Sequence, residues 1–238
     1  MKFKKILKII IGVVIFLTLP SLLLFGFVYF KYNEELPNGI SGKQADALAY
    51  KMLDALNYEA YKKTDYLEWT FKNRHHYQWQ KNKNICDVFW KEYKVSLNLN
   101  DYSQSKAYVH SFKVDSEVTE ELIAKAITYF NNDSFWLVAP YKVFDAGVER
   151  KLVKLPNNKD ALLVTYTSGG STPGDSYLWQ FDATGKPKSF KMWTSILPIN
   201  GIEASWTDWT TTDSGAQLPT YHKLLFIGLK MGAVKGTN

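Results

Sequence analysis

The chain has 238 residues, with 29 Lys+Arg against 23 Asp+Glu for a formal charge of +6; 46% of it is hydrophobic, 16% is aromatic and it holds one Cys. The apolar fraction is too high for a disordered chain, and 14 Gly with 8 Pro are too few for a fibrous one. A lone Cys86 excludes an internal disulfide framework and any multi-cysteine zinc or iron–sulfur site.

The charge is unevenly placed. Residues 1–31 carry Lys2, Lys4, Lys5, Lys8 and Lys31 and no acid, so five of the six net charges sit there. Residues 32–238 are close to neutral, and Arg74 and Arg150 are the only arginines in the chain. A nucleic-acid groove normally relies on arginine forks, so this distribution speaks against nucleic acid as a partner.

Ile9 to Phe30 is a run of 22 residues without a charge. As a helix it spans about 33 Å, enough for a bilayer core. Pro20 falls mid-run, which membrane helices tolerate. Four lysines precede the run, so the positive-inside rule puts the N-terminus in the cytoplasm and the rest outside. A cleaved signal peptide would have a shorter apolar core of about 7–15 residues and a small-x-small site. Phe30-Lys31-Tyr32-Asn33 offers no such site. The expectation is an uncleaved signal anchor at 1–31, a linker at 32–41 and a folded domain at 42–238.

Ser41-Gly42-Lys43-Gln44 has the form of a capping box, and Ala45, Leu48, Ala49, Met52 and Leu56 follow helical spacing, predicting a helix over 42–60. From Tyr66 the period becomes two. Leu67, Trp69 and Phe71 alternate with polar residues, then His75, Tyr77 and Trp79, and short strands follow around Val88–Trp90, Val95–Leu99 and Ala107–Phe112. Asp115-Ser116 caps a second helix, with Glu117, Glu120 and Glu121 at its positive end and Val118, Leu122, Ile123, Ala126, Ile127 and Phe130 as its stripe. A further helical turn is expected at 134–139, ended by Pro140. Strands are predicted near 147–155, 160–168, 176–182, 187–195, 203–212 and 218–229. The predicted class is therefore mainly β (α+β), a transmembrane helix followed by an antiparallel sheet of about eleven strands with two or three helices.

Catalytic and cofactor motifs do not survive inspection. The loop Ser168–Asp175 has G-x-x-x-x-G spacing, but Asp175 stands where a P-loop lysine belongs and a strand pattern follows. Pro173 replaces the last glycine of G-x-S-x-G. Adjacent His75 and His76 on a strand point to opposite faces, and neither His110 nor His222 has metal-ligand spacing. Glu149, Glu203 and Asp208 lie in or beside apolar strands without a defined pairing. No cofactor or metal is expected, and the chain reads as a non-enzyme. The positive signal is aromatic: all eight tryptophans fall between residues 69 and 209, most on alternating strands. A curved sheet with such a lining either packs as a bulky core or encloses an apolar cavity.

Phe71-Lys72-Asn73-Arg74-His75-His76-Tyr77-Gln78-Trp79 resembles the K/R-x-x-aromatic-x-aromatic strand pair of the bacterial lipoprotein-carrier superfamily (LolA/LolB-like), and Val88-Phe89-Trp90-Lys91-Glu92-Tyr93 resembles the strand that follows it there. The resemblance covers roughly 42–228 as a pattern of helix, strands, helix, strands. It implies a curved antiparallel half-barrel closed by helices, with a cavity for acyl chains, and an arginine touching the lid helices at the position of Arg74. His75 replaces the proline of that family, Lys83-Asn84 replaces its Asp-Gly turn, and no lipidated cysteine follows the apolar run. The expected cavity lining is Trp69, Phe71, Arg74, Tyr77, Trp79, Trp90, Trp179 and Trp193. The expected role is a periplasmic binding module of a Gram-negative cell envelope, held in the inner membrane by residues 9–30, with a lipid or lipoprotein as ligand. An envelope scaffold that docks partners through aromatics is the alternative, and a hydrolase using Asp175 or Glu149 ranks last.

Overall fold

The computed structural model describes residues 2–238. Helix α1, Lys2–Tyr32, is continuous through Pro20 and is long and apolar enough to cross a membrane. From Phe3 on, its side chains are largely exposed until the last turns, where Val28 and Tyr32 pack against the domain core. The domain is thus seated directly on the end of α1.

Helix α2, Lys43–Ala55, buries Ala45, Ala49, Met52 and Leu53, as the stripe predicts. It is shorter than predicted: Asn57 turns left-handed at φ 55 and a separate helix α3, Tyr58–Lys63, follows. The predicted box at Ser41 does not form, because Gly42 takes the N-cap position at φ 115 without a side-chain bond.

Six strands follow as a meander: β1 (Tyr66–Phe71), β2 (His75–Gln80), β3 (Ile85–Trp90), β4 (Tyr93–Asn98), β5 (Lys106–Val109) and β6 (Phe112–Val114). Helix α4, Glu117–Val138, then crosses the sheet. Its start is fixed by Ser116, whose N–H donates to Thr119 Oγ1 at 3.2 Å. It runs unbroken to Val138, so the separate turn expected at 134–139 is its last stretch. The remaining strands are β7 (Val148–Lys154), β8 (Asp160–Tyr166), β9 (Ser176–Phe181), β10 (Pro187–Trp193), β11 (Ile202–Ser205), β12 (Thr207–Thr211), β13 (Gln217–Leu224) and β14 (Ile227–Thr237).

All pair antiparallel in one sheet of order β6-β5-β4-β3-β2-β1-β14-β13-β11-β10-β9-β8-β7, with β12 also on β13. The outermost strands β6 and β7 do not meet, so the sheet is open. It curves around α4, which lies against β4, β5 and β13, while α2 lies against β7 and β8. The fourteen strands among the described residues exceed the expected eleven for a local reason. Ala107–Phe112 is two strands joined at His110-Ser111, 203–212 breaks at Trp206, and 218–229 is two strands joined at Leu225-Phe226. His-Ser and Leu-Phe carry no glycine, proline or Asx signal, yet His110 (φ 47), Ser111 (φ 71) and Leu225 (φ 52) all adopt left-handed turn geometry.

Residues 33–40 are a strap across the outer face of the sheet. Ile40 and Leu152 exchange backbone hydrogen bonds at 2.9 and 2.8 Å, and Glu34 N–H donates to Asn200 O at 3.0 Å. Trp193 Nε1–H donates to Glu34 O at 2.8 Å, and Lys191 Nζ reaches both Glu34 carboxylate oxygens at 2.6 and 2.7 Å. Gly201 permits this approach: its φ is 78, and a Cβ there would lie 2.7 Å from Glu34 Cβ. Beneath the strap sits a satellite cluster of Val153, Ala161, Leu163, Leu178 and Trp193, separate from the main core.

Candidate functional site

Strand alternation puts Leu67, Trp69 and Phe71 of β1, Tyr77 and Trp79 of β2, and Val88 and Trp90 of β3 on the concave face. Helix α4 covers that face. Trp69 stacks on Tyr77 at 4.4 Å, Trp79 meets the Phe130 ring edge-on at 5.3 Å, and Trp90 meets Tyr129 edge-on at 5.5 Å. Further round, Trp179 lies 4.9 Å from Trp206 and 5.0 Å from Phe190, and Phe135 of α4 lies 4.5 Å from Tyr177. Trp69, Tyr77 and Trp179 are fully buried, and Phe71, Trp79 and Trp90 nearly so. In this arrangement the concave face is occupied by its own side chains and by α4.

Two of the expected lining residues lie elsewhere. Trp193 is on the opposite face, under the strap, where it borders a cleft of about 520 Å³ together with Leu178, Val153, Leu155 and Pro37. Residues 190 and 192 of β10 face the main core, so the next residue must face away. Arg74 is exposed at the β1–β2 turn and makes no side-chain bond to α4. The arginine that does bind the helices is Arg150, which donates to Asp46 Oδ1 at 2.9 Å and Val143 O at 2.7 Å and lies over the Phe144 ring at 4.2 Å.

The polar contact between sheet and α4 is made by the residue beside Arg74. Asp133 is fully buried, and its Oδ2 lies 2.7 Å from His75 Nδ1 and accepts from Tyr77 O–H at 2.6 Å; its Oδ1 accepts from Asn132 Nδ2 at 2.7 Å. Burial, and then the neighbouring Asp133, push the Tyr77 hydroxyl far above its ordinary pKa, so Tyr77 remains a donor. His75 also stacks on Tyr129 at 4.0 Å. The sequence carries a signal for this clamp. Ala126, Phe130, Asp133 and Leu137 share one helical face, so Asp133 is an acid on a stripe that must be buried.

Four indole N–H groups, those of Trp69, Trp79, Trp179 and Trp206, are buried without a protein acceptor. An orphaned donor costs about 1–3 kcal/mol, and buried polar atoms are normally satisfied. Three of these four are among the expected lining residues.

The catalytic candidates do not assemble. Asp175 is buried, but its carboxylate ties two loops together: Oδ2 accepts from Thr172 Oγ1 at 2.5 Å and Oδ1 from the Ser195 N–H after β10 at 3.0 Å. Glu149, Glu203 and Asp208 are exposed. Cys86 is buried, and desolvation holds its thiol well above the usual range. His222 is buried with Nε2 2.7 Å from Trp136 O, and burial lowers its pKa to about 4. Among the described residues no group of three His, Cys, Asp or Glu is placed to hold a metal.

No protein-family model matches the chain, and no curated protein matches it. Among solved structures the chain is similar to a DUF1329 family protein from Desulfovibrio piger, with TM-score 0.39 and 8% identity over 82% of this chain and 94% of that one. It is also similar to a domain described as that of an outer membrane lipoprotein-sorting protein from Vibrio parahaemolyticus, with TM-score 0.29 and 9% identity over 79% and 93% of the two chains. At such scores the architecture and the site rest on this chain's own residues: an apolar N-terminal helix, then an open, mainly β half-barrel wrapped around one long helix.

Proposed function

We propose that the chain is a single-pass inner-membrane protein whose periplasmic half-barrel takes up the acyl chain of a lipid or lipoprotein between its tryptophan face and α4. The observation that carries this reading is the set of buried indole donors without protein acceptors on the sheet's inner side, Trp69 and Trp79 in one part of the curve and Trp179 with Trp206 in another. The ester or amide carbonyl of a bound acyl group supplies an acceptor of the kind these donors lack.

The helix is suited to act as the cover. Its first half, 117–130, buries only Leu122, Ala126 and Phe130 fully, whereas its last turns are buried almost all round. Between them runs Asn131-Asn132-Asp133-Ser134, four successive residues of low helix propensity. A break there lets the first half lift while the second stays in the core. Seating the domain on the end of α1 keeps the path from bilayer to groove short.

Brominated lipid tests the reading, because bromine quenches tryptophan only on contact. All eight tryptophans lie outside α1. The full chain in nanodiscs of dibrominated phosphatidylcholine should lose a substantial share of its emission relative to unbrominated discs, and Trp69→Phe with Trp79→Phe should remove much of that loss. Emission indifferent to bromination sinks the proposal and favours the scaffold alternative.

A further inference from the structure

The meander turns three times at one end of the sheet. The β1–β2 turn runs through Lys72 (φ 52) and Asn73 (φ 53), and Arg74 N–H donates to Phe71 O at 2.9 Å to close it. The β3–β4 turn runs through Lys91 (φ 49) and Glu92, and the β5–β6 turn through His110 and Ser111, with His110 N–H donating to Glu92 O at 3.0 Å. Lysine is an unusual choice for a left-handed position, yet both Lys72 and Lys91 occupy one at these tips.

Between the first two tips lies an open cleft of about 230 Å³. Its polar walls are Arg74, Lys91, His75, His76, Asn73 and Thr70, over Phe89 and Trp90, and no carboxylate lines it. Eight of the 24 lysines and arginines beyond residue 31 form ion pairs, among them Arg150 with Asp46, Lys191 with Glu34 and Lys94 with Asp87. Among the described residues neither Arg74 nor Lys91 has a carboxylate within 4.0 Å. The two histidines are engaged within the protein: His75 Nδ1 by Asp133, and His76 between Thr70 Oγ1, 3.1 Å from its Nδ1, and Glu68 Oε1, 3.8 Å from its Nε2.

We propose that this cleft is an anion site for a phosphate group, held by the Arg74 guanidinium and the Lys91 ammonium, with the Asn73 side-chain amide as a further donor. The donors come from two separate hairpins. A carboxylate is satisfied by the arginine fork alone, whereas a tetrahedral phosphate has oxygens for both sides of the cleft. The same chemistry is offered by a free phosphate ester and by the headgroup of an anionic phospholipid. The anion site stands without the acyl-chain reading; joining head and tail of one amphiphile across Trp90 rests on it.

The test uses the full chain in dodecyl maltoside micelles with ¹⁵N-labelled arginine. The chain has two arginines, so two Nε signals are expected, and Arg74→Gln identifies which is which. Titration with inorganic phosphate should shift the Arg74 signal saturably and leave Arg150 in place. Potassium chloride of equal ionic strength should do neither. Lys91→Ala should weaken phosphate binding about tenfold while leaving the Arg150 signal, a reporter of the intact fold, unchanged. Micelles doped with phosphatidylglycerol that displace phosphate, where phosphatidylcholine does not, identify a lipid headgroup; phosphate binding undisturbed by either lipid identifies a soluble ester. An Arg74 signal that never moves, or that moves only in step with Arg150, overturns the site. Tryptophan quenching by brominated lipid is independent of this outcome, so the two proposals fail separately.

Discussion

The two halves of the sheet are built on different plans. In β1 to β4 buried and partly exposed residues alternate, the mark of a sheet packed on one face only. In β8 and β9 burial runs through four consecutive residues, so both faces are covered. The inner cover of this second half is the last part of α4 with α2, and the outer cover is the strap that descends from α1. One half is therefore clamped between two layers, while the other is roofed by a single amphipathic stretch. The difference is one of constraint: the second half is held on both faces, and the first half on one.

The contrast is broken most directly by truncating one tryptophan in each half. Trp206 is fully buried, at 4.2 Å from the His222 ring and 6.2 Å from Trp136. Trp206→Ala should cost about 3–5 kcal/mol, because rigid neighbours on all sides cannot close the cavity. Trp90 sits at the rim beside the open cleft, where its surroundings can relax. Trp90→Ala should cost about half as much. Urea unfolding of the full chain in micelles, followed by tryptophan emission, gives both values. Equal losses would mean that the halves are equally well packed.

Acid offers a second lever on the clamped half. His222 bridges β13 to α4, and desolvation in the core lowers its pKa to about 4, below its ordinary 6.5. Between those values the unfolded chain binds a proton that the native chain excludes, so stability rises with pH across this window and falls as the medium is acidified through it. The loss from pH 6.5 to pH 4 should reach about 3 kcal/mol. His222→Gln keeps a donor for Trp136 O and cannot titrate, so its urea midpoint should fall less steeply over the same range. Parallel pH profiles would show that another group governs acid unfolding.

How far these halves were legible in the sequence follows from the same packing. The first half alternates cleanly, so Leu67-Trp69-Phe71 and Tyr77-Trp79 announce both strand and inward face. In the second half both faces are apolar, so alternation is lost and Trp193 was expected to face inward with the cavity residues. Its direction follows from the strap, whose contact with β7 and β10 joins residues more than a hundred positions apart. Helix α4 was legible from its stripe, but its continuation beyond Phe130 was masked by Asn131–Ser134, whose low propensity is overridden by burial. Within that run the stripe marks Asp133 as a buried acid but leaves its partners unmarked. Asp133 finds its donors on β2, 56 and 58 positions away, and no local pattern encodes that pairing.

That clamp supplies the gentlest test of the comparison. Asp133 is the buried polar tie between the roof of the first half and the strand beneath it, through Tyr77 and His75. Asp133→Asn preserves shape and retains one acceptor oxygen for Tyr77 but gives up an acceptor on the other side. The cost should be about 1–2 kcal/mol, the range for weakening a buried hydrogen-bonded group without emptying its site. Its distribution matters more than its size. If α4 is hinged at Asn131–Ser134, the lost energy lowers the cost of local opening, and amide hydrogens over 117–130 should exchange about tenfold faster. Those of β8 and β9, held on both faces, should keep their wild-type rates. Brominated lipid should also quench the variant more readily than the parent, since the roof lifts at lower cost. Uniformly accelerated exchange across both halves would show instead that roof and clamped half unfold as one unit, and that α4 is structural packing with no separate motion for a ligand to exploit.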